Sequence, residues 1–114
     1  MNEIATVYSA DMTITQQVTG DLYTRFIAFF DAKPKTIETY TRALRQFFSY
    51  LSKNGITQPT RADVIAFREG LKIGHKPTTV QNYIVAVRLF FKWTEAEGLY
   101  KNVADKVKGA KLDK

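Results

Sequence analysis

The chain has 114 residues, 45% of them hydrophobic, and a formal net charge of +6 from 17 Lys and Arg against 11 Asp and Glu. This length fits one domain with one modest core and excludes a second domain. The absence of cysteine excludes disulfides, thiol catalysis and zinc–thiolate sites. No apolar run approaches the roughly 18 residues of a membrane span, so we expect a cytoplasmic protein without a membrane partner.

The basic charge is unevenly distributed along the chain. Residues 1–35 carry a net charge of −1, residues 36–74 of +3, and residues 75–114 of +4. A pI near 9.6 with clustered Lys and Arg is typical of proteins that bind nucleic acid, because each neutralised phosphate releases condensed counterions. A basic domain that is merely soluble would have the same composition, so charge alone does not decide the function.

Hydrophobic periodicity predicts an all-α fold, a small bundle of four helices plus a short C-terminal helix or turn, and no strand pattern competes. Residues 1–14 lack periodicity and are interpreted as a loose lead-in to a helical domain over residues 15–108. The predicted elements cover residues 15–30, 36–53, 60–71, 78–97 and 103–107.

Particular residues mark the ends of these helices. Thr60 and Asp63 have the spacing of a capping box, in which two side chains each accept a hydrogen bond from an unsatisfied backbone N–H group. Thr78 and Gln81 have the same spacing at the start of the fourth helix. Asn54-Gly55 and Gly98 indicate where the second and fourth helices end.

The second and fourth helices repeat one sequence pattern. KPKTIETYTRALRQFF, residues 33–48, and KPTTVQNYIVAVRLFF, residues 76–91, share Lys, Pro, Thr, Tyr, Ala, Arg and Phe-Phe at equivalent positions. Each first turn presents polar and basic side chains, free backbone N–H groups and the positive end of the helix dipole, which together suit a phosphate. Two such starts on one face would hold a DNA duplex at two places. The alternative is two core helices that merely share a pattern.

In this order and spacing the residues resemble the N-terminal core-binding, SAM-like domain of tyrosine recombinases, the phage-integrase and Xer-type enzymes. The resemblance covers residues 16–108. It implies a small bundle that clamps one side of a DNA recombination or integration site, together with other recombinase protomers. Two positions depart from the family pattern, Asn102-Val103 in place of Asn-Pro and Tyr83 in place of a basic residue. The residues that carry the resemblance are Lys35-Thr36 through Tyr40, Leu44, Phe47 and Leu51, Asn54-Gly55-Ile56, Pro77 through Val80, Ala86 through Arg88, Phe90-Phe91 and Gly98-Leu99.

Double-stranded DNA is therefore the expected partner, through residues of the two repeated helices. Arg61 and Arg68, on the third helix, are expected to be solvated. The residues expected to contact DNA are Lys35, Thr36, Thr39, Arg42, Lys76, Thr78, Thr79, Asn82 and Arg88.

No catalytic residue, metal, cofactor or small-molecule substrate is expected. His75 is the only histidine, and no cysteine could complete a metal site with it. The recombinase chemistry of the family needs a larger C-terminal domain, for which a chain ending at Lys114 has no room. Residues 109–114 are interpreted as the start of a linker to that domain, and residues 102–114 are expected to be weakly protected. The alternative function is a helical protein–protein interaction module, which would show an exposed apolar stripe.

Overall fold

The computed structural model describes residues 23–30 and 33–109, and it contains four helices over these ranges. No strand occurs in this part of the chain, so the predicted all-α bundle is confirmed. The predicted lead-in over residues 1–14, residues 15–22 of the first predicted helix and residues 110–114 lie outside the described ranges. The helices are α1 (Tyr23–Phe30), α2 (Pro34–Lys53), α3 (Arg61–Gly74) and α4 (Pro77–Ala96).

The repeated helices α2 and α4 begin in the same way. Lys33 and Lys76 are their N-caps, with almost identical backbone angles (φ −67°, ψ 154° and φ −67°, ψ 152°), and neither N-cap side chain accepts a capping hydrogen bond. A proline follows each lysine, because its fixed φ suits the first helical position and its missing N–H group would be unsatisfied there anyway. Both helices therefore start earlier than predicted, and the capping box predicted for Thr78 and Gln81 was wrong.

The remaining predicted caps are confirmed. In α3 the Asp63 backbone N–H donates to Thr60 Oγ1 at 3.3 Å, and the Thr60 N–H donates to Asp63 Oδ2 at 2.7 Å. Gly55 and Gly98 follow α2 and α4 with φ of 64° and 72°, a left-handed conformation that glycine adopts at little cost. The copies thus share both their starts and their ends.

α4 is the central helix, against which α1, α2 and α3 all pack. The core between α2 and α4 is aromatic: Phe47 lies 5.8 Å from Phe91 and Phe48 lies 5.2 Å from Phe90, measured between ring centroids. Phe26 brings α1 to the same cluster, at 5.7 Å from Phe90. Because α4 packs against three helices, more of its residues are buried than in α2. This explains why α4 has more apolar residues than α2.

The chain beyond α4 packs back onto the bundle as a turn instead of the predicted short helix. We call residues 103–109 the C-terminal segment. Val103, Ala104 and Val107 are buried in it, whereas Lys106 has a φ of 60°, which a helix cannot accommodate. These three side chains therefore pack against the bundle, and the weak protection expected for residues 102–114 stays a prediction.

Candidate nucleic-acid interface

The outward face of α2 is a basic surface. Lys35, Arg42 and Arg45 are exposed, and none of them forms an ion pair with a carboxylate of the described residues. Lys35 and Arg42 stand seven residues apart, so two helical turns, or about 10 Å, separate them on one side of the helix. The buried residues Leu44 and Leu51 lie on the opposite side, which directs the basic side chains into solvent.

The first turn of α2 adds unsatisfied hydrogen-bonding groups. Pro34 has no N–H group, and the first backbone N–H with a helical acceptor is that of Ile37, which donates to Lys33 O at 2.9 Å. The N–H groups of Lys35 and Thr36 therefore stay available, as is usual for a first turn. Thr39 is already engaged, because its hydroxyl donates to Lys35 O at 3.2 Å.

The first turn of α4 has a corresponding arrangement. Lys76, Thr78 and Asn82 are exposed, whereas Thr79 is half-buried. The Val80 N–H donates to Lys76 O at 3.0 Å, so the N–H groups of Thr78 and Thr79 precede the first helical hydrogen bond. This end of α4 combines a cation, short polar side chains and free backbone donors, as the sequence predicts.

The structure does not bring the two helix starts together in one patch. Tyr40, in the first half of α2, lies 6.3 Å from Phe26, and Phe26 lies 5.7 Å from Trp93. The start of α2 is therefore next to the second half of α4. The start of α4 is instead next to the end of α3, where the Tyr83 ring lies 5.9 Å from that of His75. The candidate residues therefore fall into two groups. The α2 group is Lys35, Thr36, Thr39 and Arg42, and the α4 group is Lys76, Thr78, Thr79, Asn82 and Arg88.

Arg88 lies apart from the other residues of the α4 group. It lines a surface groove together with Lys92 and Glu95 of α4 and with Asp105 of the C-terminal segment. The buried faces of α2 and α4 contact each other, so their outward faces, with Arg42 on one and Arg88 on the other, point to different sides of the domain.

Among the exposed cations of these helices, Arg45 and Lys92 were missed from the sequence. Arg45 is equivalent to Arg88 in the repeat, and this equivalence was the signal that could have identified it. Lys92 follows Arg88 by four residues and therefore lies on the same side of α4. Both side chains are exposed and lack an ion-pair partner among the described residues.

The cations of α1 and α3 are engaged within the domain. Arg68 Nε and Lys72 Nζ lie 2.8 Å and 3.0 Å from Glu69 Oε2, and the hydrogen bonds from Lys72 and then Arg68 lower the pKa of the Glu69 carboxyl. Arg25 is paired with Glu97 at 2.9 Å. The available positive charge is thus concentrated on α2, α4 and the chain after α4.

Other residues singled out in the sequence have structural roles or none. Tyr83 is buried, with 6% of its surface exposed, and belongs to the core. The His75 ring nitrogen Nδ1 lies 3.0 Å from Leu71 O. Within residues 23–30 and 33–109, no group of three or more His, Asp or Glu residues could hold a metal ion. In the same ranges no helix is long and apolar enough to cross a membrane.

Comparison with known proteins assigns the fold to a family. No curated protein and no solved structure matches the chain. The family model "Phage integrase, N-terminal SAM-like domain" matches residues 21–98, a range that is more than half of the chain and includes all four helices. The resemblance recognised in the sequence is thereby confirmed, and the chain belongs to the phage integrase N-terminal SAM-like domain family.

Proposed function

We propose that this domain is the DNA-binding module of a tyrosine recombinase or integrase and that it clamps one side of a recombination site. The observation that carries the proposal is the segregation of charge: the cations of α1 and α3 are bound within the domain, whereas those on the outward faces of α2 and α4 form no ion pair with any described residue. Unpaired Lys and Arg bind phosphates, and the gain in counterion entropy drives the association. Core-binding domains of this family generally bind DNA, which supports the proposal.

The charged and the uncharged polar residues have different tasks in this proposal. Lys35, Arg42, Lys76 and Arg88 neutralise phosphates. Thr36, Thr78 and Asn82 form hydrogen bonds that fix the position of the duplex. Thr39 keeps its oxygen lone pairs for contacts of the same kind, although its proton is engaged.

Because the α2 and α4 groups lie on different parts of the surface, the clamp has two separate points of contact. Thr79 and Arg88 contribute at the edges of the α4 group. Strand cleavage and rejoining are assigned to other parts of a recombinase, whose further protomers complete the assembly.

The alternative, a protein–protein interaction module, has weaker support. Its mark would be a contiguous exposed apolar stripe. The large hydrophobic residues exposed in the described part of the chain are Phe29 and Ile73, on different helices. Single exposed apolar residues are normal on soluble proteins, so they do not favour this function over DNA binding.

Charge-removal variants test the proposal. Lys35→Ala/Arg42→Ala and Lys76→Ala/Arg88→Ala each remove two expected phosphate contacts. Each pair should lower the slope of log affinity against log salt concentration by about two units, which corresponds to a roughly 60-fold weaker affinity at about 0.1 M salt. The measurement is fluorescence anisotropy of a labelled short duplex at several salt concentrations.

A control of equal charge shows whether the contacts are specific. Lys53→Ala/Lys101→Ala removes two exposed cations that form no ion pair among the described residues and lie outside the proposed contacts. Arg61 and Arg68 are unsuitable for this purpose because the structure engages both. If the control pair weakens binding as much as the other two, binding is diffuse electrostatic attraction and the two-point clamp is wrong.

A further inference from the structure

The C-terminal segment is fastened to α3 by two arginines that bind its backbone. Arg61 Nη1 donates to Asp105 O at 2.5 Å, and Arg68 Nη1 donates to Lys108 O at 3.0 Å. These bonds join residues 44 and 40 positions apart in sequence, so they determine where the segment runs. Both acceptors are main-chain carbonyls, and the side chains of Asp105 and Lys108 consequently remain exposed.

Both partners of the hydrogen bond between Arg68 and Lys108 are fixed to the bundle. Arg68 is itself fixed, because its Nε lies 2.8 Å from Glu69 Oε2 and only 20% of its side chain is exposed. The residue before Lys108, Val107, is buried in the core. The position of Lys108 is thus determined by the bundle and does not depend on its own side chain.

Gly109 carries the chain onto the first turns of α4. A Cβ atom at this position would overlap Gln81 Oε1 and would lie 3.0 Å from Gln81 Cα. The overlap with a side-chain atom is relieved if Gln81 turns away, but the approach to the helix backbone is tighter than a side chain normally tolerates. The absence of a side chain at residue 109 therefore permits contact between the segment and α4. Gln81 precedes Asn82 and stands one turn after Thr78, so this contact lies within the α4 group.

We propose that the C-terminal segment places Lys108 at the start of α4 as an additional phosphate contact, with Arg68 and Gly109 as its positioning residues. The inference rests on the proposed DNA-binding function. Lys108 is exposed and has no ion pair among the described residues, and its neighbour Gly109 touches Gln81. The first turn of α4 has one cation of its own, Lys76, so Lys108 doubles the charge available beside Thr78 and Asn82.

The first experiment compares single lysine variants of the full 114-residue chain with a labelled short duplex. Lys108→Ala should lower the salt slope by about one unit and the affinity by roughly eightfold at about 0.1 M salt, because one phosphate contact is lost. Lys101→Ala removes the same charge from an exposed site before the segment and should change the affinity by less than about twofold.

The second experiment moves the segment without removing a lysine. Arg68→Gln removes the donor to Lys108 O, and Gly109→Ala adds the Cβ that opposes contact with Gln81. Both variants should weaken DNA binding severalfold, and Arg68→Gln should also accelerate hydrogen exchange of the Val107 amide, which donates to Ala104 O at 3.1 Å. Far-UV circular dichroism shows that the helices are retained.

The outcomes separate this inference from the function on which it rests. If Lys108→Ala binds DNA like the parent chain while Lys76→Ala/Arg88→Ala binds weakly, the inference is overturned and the DNA-binding function stands. If Arg68→Gln accelerates exchange without a loss of affinity, the positioning role is overturned. If the parent chain does not bind a duplex even at low salt, the proposed function itself fails.

Discussion

Truncation of Phe26 would measure how much the contact between α1 and the core contributes to stability. The ring is fully buried and lies 5.7 Å from both Phe90 and Trp93 and 6.3 Å from Tyr40. Loss of a buried phenylalanine ring costs about 3–5 kcal/mol, and each favourable aromatic pair contributes about 0.5–1.5 kcal/mol beyond its buried area. With three such neighbours we expect Phe26→Ala to lower the free energy of unfolding by about 4 kcal/mol, a large part of the roughly 5–15 kcal/mol of a small domain.

Urea denaturation gives this free energy, with the fluorescence of Trp93 and far-UV circular dichroism as two probes. Trp93 is the only tryptophan of the chain and touches Phe26, so its emission reports the α1 contact directly. Phe26→Leu keeps most of the apolar volume and should cost less than about 1.5 kcal/mol. If Phe26→Ala costs less than about 1 kcal/mol and leaves the emission of Trp93 unchanged, α1 does not stabilise the core and the reasoning is refuted.

Two further predictions concern stability. The Tyr100 hydroxyl donates to Pro59 O at 2.8 Å, and burial, followed by the charge of Asp63, raises the pKa of Tyr100 above its ordinary value of 10.0. The folded state thus holds this proton more tightly, so its contribution is complete below pH 10.0 and falls as the pH rises through the folded pKa. Tyr100→Phe should cost about 1 kcal/mol at neutral pH and remove this part of the alkaline loss in urea titrations at several pH values. Gly70→Ala should raise the thermal midpoint, because a Cβ there meets nothing within 4 Å and alanine favours a helix by about 0.5–1 kcal/mol. Gly98→Ala should lower the midpoint, because its φ of +72° costs other residues about 1–2 kcal/mol; equal signs for the two glycines would contradict this reasoning.

The sequence predicted the helices well where local signals agreed. In α3, the capping residues and the apolar spacing point to the same start, and the structure begins the helix one residue after Thr60. In α2 and α4 the prediction favoured the threonines over the prolines, although Pro34 and Pro77 are each preceded by an extended lysine. The error is one of local physics, because a proline fits the first helical position better than any later one.

Contacts distant in sequence could not be predicted in this way. The repeat shows that α2 and α4 have the same inward and outward faces, but it contains no information on how the helices are oriented relative to each other. For this reason Arg42 and Arg88 were expected on one surface. The packing of the C-terminal segment was missed because Val103 and Val107 are only moderately apolar. The bond from Arg61 to the carbonyl of Asp105, 44 residues away, has no signal in the sequence because any residue provides a backbone carbonyl.

The central position of α4 has a consequence for folding during synthesis. α1, α2 and α3 precede it, yet each of them packs against it, so the chain up to residue 76 lacks the main partner of its apolar faces. Until α4 is made, rings such as Phe26 and Phe48 have little to cover them, apart from pairs such as that between Phe47 and Phe67. A ribosome adds about 5–20 residues per second, so the 20 residues of α4 take about 1–4 s. During that interval the nascent chain presents exposed aromatic surface, the kind of segment that chaperones bind.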